Sequence, residues 1–350
     1  MLLAFDWPFV IEKLALFVVV VAISLVVALY ETLAERKIAA VIQDRRGPNR
    51  AGPFGLFQPF ADGLKLFMKE EIIPDNANKL LFVLGPCLAM LTALMTSAVI
   101  PWGGSIELFG RTISLQVTDI NIGVLYIFGV VSMGVYGIMI GGWASNNKFS
   151  LLAALRGASQ VISYELPMGM ALIALLFLTG SLKMSVIVGQ QADSLYFFFL
   201  QPLGFLIYFI CALAECNRTP FDLPEAENEL NFGYHQEYSS MKLGFYLFSE
   251  YINMFISSVI MATLFFGGYD IPGINDASLG QSIGGNWLAL LQAASLLIKT
   301  GLFIFLFMWI RWTIPRFRYD QLMDLGWKTL IPLSLINMLL TAAVVLFLKK

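Results

Sequence analysis

Apolar stretches recur along this 350-residue chain, and several exceed the roughly 20 residues a helix needs to cross a hydrocarbon layer about 30 Å thick. Hydrocarbon offers backbone amides no water, so such stretches must satisfy their own hydrogen bonds as helices. Hydrophobic residues make up 58% of the chain and charged residues 13%, against about 25% charged in a soluble domain. The pattern predicts an all-α polytopic membrane protein forming a single membrane domain over residues 1–350. Eight transmembrane helices are expected, near 12–33, 79–100, 120–143, 158–180, 195–214, 243–267, 287–310 and 329–348. The first has neither a basic flank ahead of it nor a small-residue cleavage site, so it reads as retained rather than removed.

Basic residues alternate with the connections. The loops after spans one, three, five and seven, with their flanks, hold sixteen Lys or Arg, from Arg36 and Lys37 through Arg218 to Lys328. The other side holds five: Lys13, Arg111, Lys183, Lys349 and Lys350. The positive-inside rule then places the odd-numbered loops in the cytoplasm and both termini on the outer, periplasmic side. In the first cytoplasmic loop, Gly47-Pro48 and Gly52-Pro53 signal turns. Phe57, Phe60, Ala61, Leu64 and Phe67/Met68 then recur at helical spacing, with Asp62, Lys65 and Lys69 on the other face. This predicts a short amphipathic interfacial helix, too brief to span. The even-numbered loops (102–118, 181–194, 268–286) read as ordinary outer-face connections.

Three cysteines and one histidine (His235) restrict the chemistry. There is no CxxC pair or Cys/His cluster to hold zinc, haem or an iron–sulfur centre, and no GxGxxG or P-loop. No metal site is expected, and electrons must come from a partner or a diffusible ligand.

Charge is concentrated where a membrane protein ordinarily avoids it. Residues 213–251 carry Glu215, Asp222, Glu225, Glu227, Glu229, Glu237 and Glu250 against Arg218 and Lys242, interleaved with Pro220, Phe221, Pro224 and Phe232. This composition reads as a folded polar site at the membrane edge. Glu165 is placed about eight residues into span four, roughly 10 Å below the cytoplasmic surface. Pro167 follows it, where a kink is expected. Lys299 is placed near the middle of span seven, and Glu31 and Glu35 share one helical face at the end of span one. Plainer roles are open for some of these: a surface ion pair for Glu35, a carboxylate's structural partner for Lys299, headgroup anchors for Arg45, Arg46 and Arg50. Because these groups fall toward the cytoplasmic half, they are expected to form a row of carboxylates with basic neighbours. Closely spaced carboxylates repel, so some retain protons near neutral pH and exchange them when a nearby charge changes.

The motifs that run through this row resemble those of a known family, the quinone-chamber membrane subunit of bacterial NADH:quinone oxidoreductase (respiratory complex I). They are Glu35-Arg36-Lys37, Arg46-Gly47-Pro48-Asn49, Gln58-Pro59-Phe60-Ala61-Asp62-Gly63 and Ser163-Tyr164-Glu165. Asn217-Arg218-Thr219-Pro220-Phe221-Asp222-Leu223-Pro224-Glu225-Ala226-Glu227, Glu237-Tyr238-Ser239-Ser240 and Pro315-Arg316-Phe317-Arg318-Tyr319-Asp320 continue the match in the family order. Cys216 and Asn231-Phe232 depart from the pattern without touching a charge. The resemblance implies a membrane subunit in the bacterial inner membrane that forms a quinone-access chamber with partner subunits, one of which holds the terminal iron–sulfur cluster. It implies a quinone substrate, ubiquinone or menaquinone, met by Glu35, Arg36, Arg46, Phe60 and Asp62. It further implies an acidic proton-coupling funnel of Glu165, Glu215, Glu225, Glu227 and Glu250. The expected partners are other subunits of the complex, including hydrophilic and small membrane subunits, and lipids, with no nucleic acid. Two other readings predict different features. The membrane subunit of an energy-converting hydrogenase keeps the acidic framework, but the Gln43–Glu71 loop favours the quinone version. A stand-alone transporter predicts an inverted repeat, and none is evident.

Overall fold

In the computed structural model, residues 7–108, 110–192, 195–273 and 284–348 are described. Among these residues, seven helices are long and apolar enough to cross a membrane, and they form a bundle. In chain order the principal helices are α1 (Trp7–Ile42), α2 (Gln58–Met68), α3 (Lys79–Thr96), α4 (Gly123–Ala144) and α5 (Lys148–Thr179). Then come α6 (Met184–Ala192), α7 (Phe197–Leu200), α8 (Pro202–Glu215), α9 (Glu227–Leu230) and α10 (Ser240–Phe265). The chain closes with α11 (Gly285–Thr313), α12 (Tyr319–Asp324), a π-helical turn at Leu325–Leu330 and α13 (Ile331–Leu348). Lys349 and Lys350 lie outside the described residues.

Several helices extend past the apolar runs that announce them. At 36 residues, α1 is about 54 Å long, far more than a bilayer core. Its last turns carry Glu31, Glu35, Arg36 and Lys37 on continuous helix. Helix α5 begins at Lys148, where the Asn147 side chain accepts from Phe149 N, ten residues before the expected span. Lys148 and Arg156 make that opening segment look like loop in a hydropathy reading. Glu165 is therefore 17 residues into its helix, about 26 Å from the helix start. Helix α5 also runs unbroken through Pro167.

The connections collect at two ends. At one, Lys13 Nζ donates to Gln116 O (2.9 Å), Lys183 pairs with Asp119 (2.8 Å), and Asn286 Nδ2 donates to Glu107 O (2.9 Å). The connections expected at the outer face are less plain than the sequence suggests. Strands β1 (Ser105–Leu108) and β2 (Arg111–Ser114) form an antiparallel hairpin with Ile106 opposite Ile113, and α6 lies in the 181–194 connection. At the other end, Ile72 N donates to Ser239 Oγ (2.9 Å), Asn147 Nδ2 to Glu237 Oε1 (2.6 Å), and Phe317 N to Pro220 O (3.2 Å).

The core lies between α5, α8, α10 and α11, where Leu175, Ile207, Phe255, Phe265 and Leu296 are fully buried. Helices α3 and α4 meet through Gly85, Gly137 and Gly141, as small residues permit in membrane interfaces. Tyr246 of α10 donates to Gly137 O (3.1 Å), and Tyr238 donates to Gly141 O (3.2 Å). A Cβ on Gly141 would overlap the Tyr246 hydroxyl, whereas one on Gly129 of the same helix meets open space. Gly141→Ala is expected to lower the thermal stability of the assembled protein by an overpacking cost of about 1–3 kcal/mol. Gly129→Ala should leave the melting temperature at the wild-type value in a thermal-shift assay of the detergent-purified protein.

Candidate functional site: a buried carboxylate and arginine row

Two cations organise the interior at the basic end. Arg218 is 5% exposed, on the segment that follows α8. Its Nη1 lies 4.0 Å from Glu35 Oε2, its Nη2 lies 3.5 Å from Glu250 Oε2, and its guanidinium stacks 4.2 Å from the Tyr251 ring centroid. Arg311, near the end of α11, reaches Glu35 Oε1 at 2.6 Å, and Tyr251 donates its hydroxyl to Glu35 Oε2 at 2.8 Å. Glu35 therefore lies in the buried row. Burying any of these charges singly is costly, and they are tolerated because each faces an opposite charge.

The loop beyond Arg218 folds back onto the helices. Gln160 of α5 donates to Ala214 O and Phe221 O, both at 2.7 Å, tying the segment down on either side of the turn. Asn217 adopts the left-handed region, and the Thr219–Pro220 peptide is cis. Phe221 then packs between Tyr164 and Phe317. This brings Asp222 to Arg316 (2.6 Å) and Glu225 to within 3.9 Å of His235 Nδ1. Tyr234 donates its hydroxyl to Glu250 Oε1 at 3.2 Å. Among the described residues, Glu225 Oε1 and Glu250 Oε2 are buried without a hydrogen-bond partner, and the two carboxyls lie close enough for their charges to interact.

Glu215 ends α8 and lines two small cavities. The first, about 40 Å³, is shared with Glu250, Tyr234, Asn217, Ser249 and Thr92. The second, about 20 Å³, continues along Tyr208 and Ser257 between more apolar residues. A void of ~10–15 Å³ holds one water given polar partners, so the first has room for more than one. Glu165 is half-buried, takes a hydrogen bond from Ser132, and is close enough to Glu215 for their charges to interact. Among the described residues, neither Glu31 carboxylate oxygen has a hydrogen-bond partner; both are buried, within electrostatic reach of Arg218. The side chain of Glu227 lies outside the described residues.

The remaining site residues expected from the sequence occupy a second, more open group. Arg36 pairs with Asp62 at 2.6 Å, Gln58 Nε2 donates to Asp62 Oδ1 at 3.2 Å, and Phe60 packs edge-on to Tyr30. In α2, Asp62 turns inward while Phe60, Leu64, Phe67 and Met68 are exposed. Arg46 is exposed in the turn that follows α1. Lys299 does not join the row. Its ammonium donates to Phe266 O, Gly268 O and Asp270 O at 2.8, 2.9 and 2.6 Å, just beyond the end of α10. The Gly267-Gly268 turn that gathers these carbonyls has positive φ at both residues and cannot be read as a cation seat from hydropathy. Tyr234, Tyr251 and Gln160 escape a reading of the sequence, because no spacing rule sets a tyrosine or glutamine against a distant carboxylate or loop carbonyl.

The fold and this interior define a polytopic helical membrane protein built around a buried row of acids and arginines. A family model described as NADH dehydrogenase matches residues 14–342. The chain is 62% identical over 338 residues to the first of the NADH-quinone oxidoreductase H subunits of Cytophaga hutchinsonii, covering 97% of this chain and 98% of that protein. It is likewise 62% identical to the H subunit of Flavobacterium johnsoniae (97% and 96% covered) and 47% identical to one from Geobacter metallireducens (97% and 97% covered). The chain belongs to this family, the H subunits of NADH-quinone oxidoreductase.

The loop acids titrate differently from free carboxyls. Burial, then the charge of Glu225, pushes Asp222 up to about 7, against Arg316, Arg311 and Arg218. Burial would also raise Glu225, but His235, the neighbouring Glu250 carboxyl, Arg218 and Arg311 outweigh it and hold Glu225 below the usual range. Because Asp222 binds its proton more tightly folded than unfolded, its contribution to stability declines as pH rises from about 4 to about 7. Asp222→Asn should flatten that decline in melting temperature measured across the same pH range.

Proposed function

We propose that this chain is the membrane subunit of a proton-translocating NADH:quinone oxidoreductase in which quinone access and proton coupling meet on α1. Glu35 and Arg36 are sequence neighbours, so their side chains leave the helix about 100° apart. Arg36 faces Asp62 and α2, while Glu35 faces Arg218, Arg311 and Tyr251. A quinone headgroup held near Arg36, Asp62 and Arg46 therefore lies one helix surface away from the carboxylate row. Its apolar tail would run along the exposed Phe57, Phe60 and Phe67. Two-electron reduction places negative charge on the headgroup until protons arrive, and that charge changes the proton affinity of nearby carboxyls. The row through Glu35, Arg218, Glu250, Glu225, Glu215 and Glu165, with Glu227 on the same loop, then passes the change inward. Its continuity, with a wettable cavity between Glu250 and Glu215, carries this reading.

The membrane arrangement follows the same proposal. Phe197–Leu200 and Pro202–Glu215 together form a broken fifth span of about 28 Å, interrupted at Gln201, whose amide donates to Thr341 of α13 at 2.8 Å. This makes eight crossings, with the Arg218 end in the cytoplasm and both chain termini outside. Helix α2 lies at the interface, its apolar face toward lipid or toward the hydrophilic quinone-site and iron–sulfur subunits. Ubiquinone and menaquinone both fit a site that reads a headgroup.

Glu215→Gln is expected to lower quinone-linked proton pumping several-fold in reconstituted vesicles without loss of complex assembly. Pumping at the wild-type proton-to-electron ratio removes Glu215 from the relay. Arg46→Glu should raise the KM for quinone roughly tenfold, equivalent to about 1.4 kcal/mol; unchanged steady-state kinetics would return Arg46 to headgroup anchoring.

A further inference from the structure

We propose that His235 is a positioning residue for the buried row, its imidazole charge holding the neighbouring Glu225 carboxyl in its anionic form. This rests on the coupling role proposed above and assigns it a control element. His235 is 2% exposed, and its Nδ1 lies 3.9 Å from Glu225 Oε1. The ring is fixed edge-on between Phe232 (4.5 Å between centroids) and Tyr234 (4.8 Å). The backbone sets this distance. Gly233 has φ of 74°, and a Cβ there would collide with Pro224 O, so the two arms of the loop touch main chain to main chain beside the His235–Glu225 pair.

The charged groups around this pair come from every side. Glu225 faces His235 directly and feels Arg218 and Arg311, while Glu250 of α10 holds Tyr234 and Arg218. Asp222, bridged to Arg316, adds a further acid on the same loop. From α5, Arg156 reaches the loop through Glu229 at 2.6 Å, and Lys148 borders a surface depression with Gln236 and Glu237. From α4, the Gly141 carbonyl accepts from Tyr238. Among these groups imidazole is the one whose ordinary titration falls near neutral pH. Protonated, it favours the anionic form of Glu225. Neutral, it removes that bias, and Glu225 takes up a proton more readily. The arrangement converts local pH at the loop into the charge of Glu225, which a purely structural histidine does not do.

The test is His235→Gln in the whole assembled complex, with the pH profile of quinone-linked proton pumping and the protonated-carboxyl band in redox-induced infrared difference spectra as readouts. Removing a cation raises carboxyl proton affinity, so the apparent pKa of the profile should move up by roughly one to three units. In a Glu225→Gln background the same substitution should move nothing further. His235→Asn is a second neutral variant with the same expected result should the glutamine disturb assembly. A wild-type pH profile and carboxyl band in these variants overturns the proposal, as does an equal shift when Glu225 is already replaced. Glu250→Gln separates the two levels. If it abolishes pumping while both His235 variants match wild type, this inference alone falls. If Glu250→Gln pumps normally, the coupling role falls and takes this inference with it.

Discussion

A buried guanidinium between two carboxylates determines how the rest of this chain is arranged. Arg218 faces Glu35 from α1 and Glu250 from α10, and stacks on Tyr251. Removing one partner of such a cluster costs about 3–5 kcal/mol, because the remaining charge is left unpaired in a poor solvent. The three segments are therefore joined by a cluster that cannot lose a single member without a large cost. Arg311 brings α11 into the same cluster through Glu35, and Gln160 secures the loop to α5 so that Arg218 is presented inward. The core around Phe255 and Phe265 supplies burial, but the cluster sets the register in which α1, α10 and α11 meet.

The two halves of the site differ in solvent exposure, and this suits their chemistry. The Arg36–Asp62 pair is partly exposed and borders an apolar surface, which fits the proposed quinone site. The Glu35–Arg218–Glu250 cluster is buried, so a charge change there is less screened than at the surface and felt over several ångströms. Tyr251 and Tyr234 complete this second half by donating hydroxyls to Glu35 and Glu250. Burial, then the charge of Glu250, keeps the Tyr234 hydroxyl protonated and hence a donor.

Much of the architecture is legible because the bilayer imposes a length scale, and apolar runs of about 20 residues report it directly. Polar turns such as residues 148–157 escape that reading, since a helix continuing into the aqueous boundary needs no apolar run. The broken helix before Pro202 reads as one continuous span, because hydropathy does not register the backbone break at Gln201. Within the site, Glu165, Glu215, Glu225 and Glu250 stand out as acids in apolar surroundings, and Arg36 with Asp62 through their motifs. Tyr234, Tyr251 and Gln160 do not, since ordinary membrane-protein composition hides them. Main-chain carbonyls also receive the Lys299 ammonium, and they carry no signature in a side-chain sequence.

The distance in sequence between the members of the Glu35 cluster has a consequence for biogenesis. Glu31 and Glu35 are translated in the first helix, while Arg218 and Arg311 emerge much later. The first helix is thus made long before its charges can be matched, and the docking of the loop after α8 is the step that brings Arg218 to Glu35.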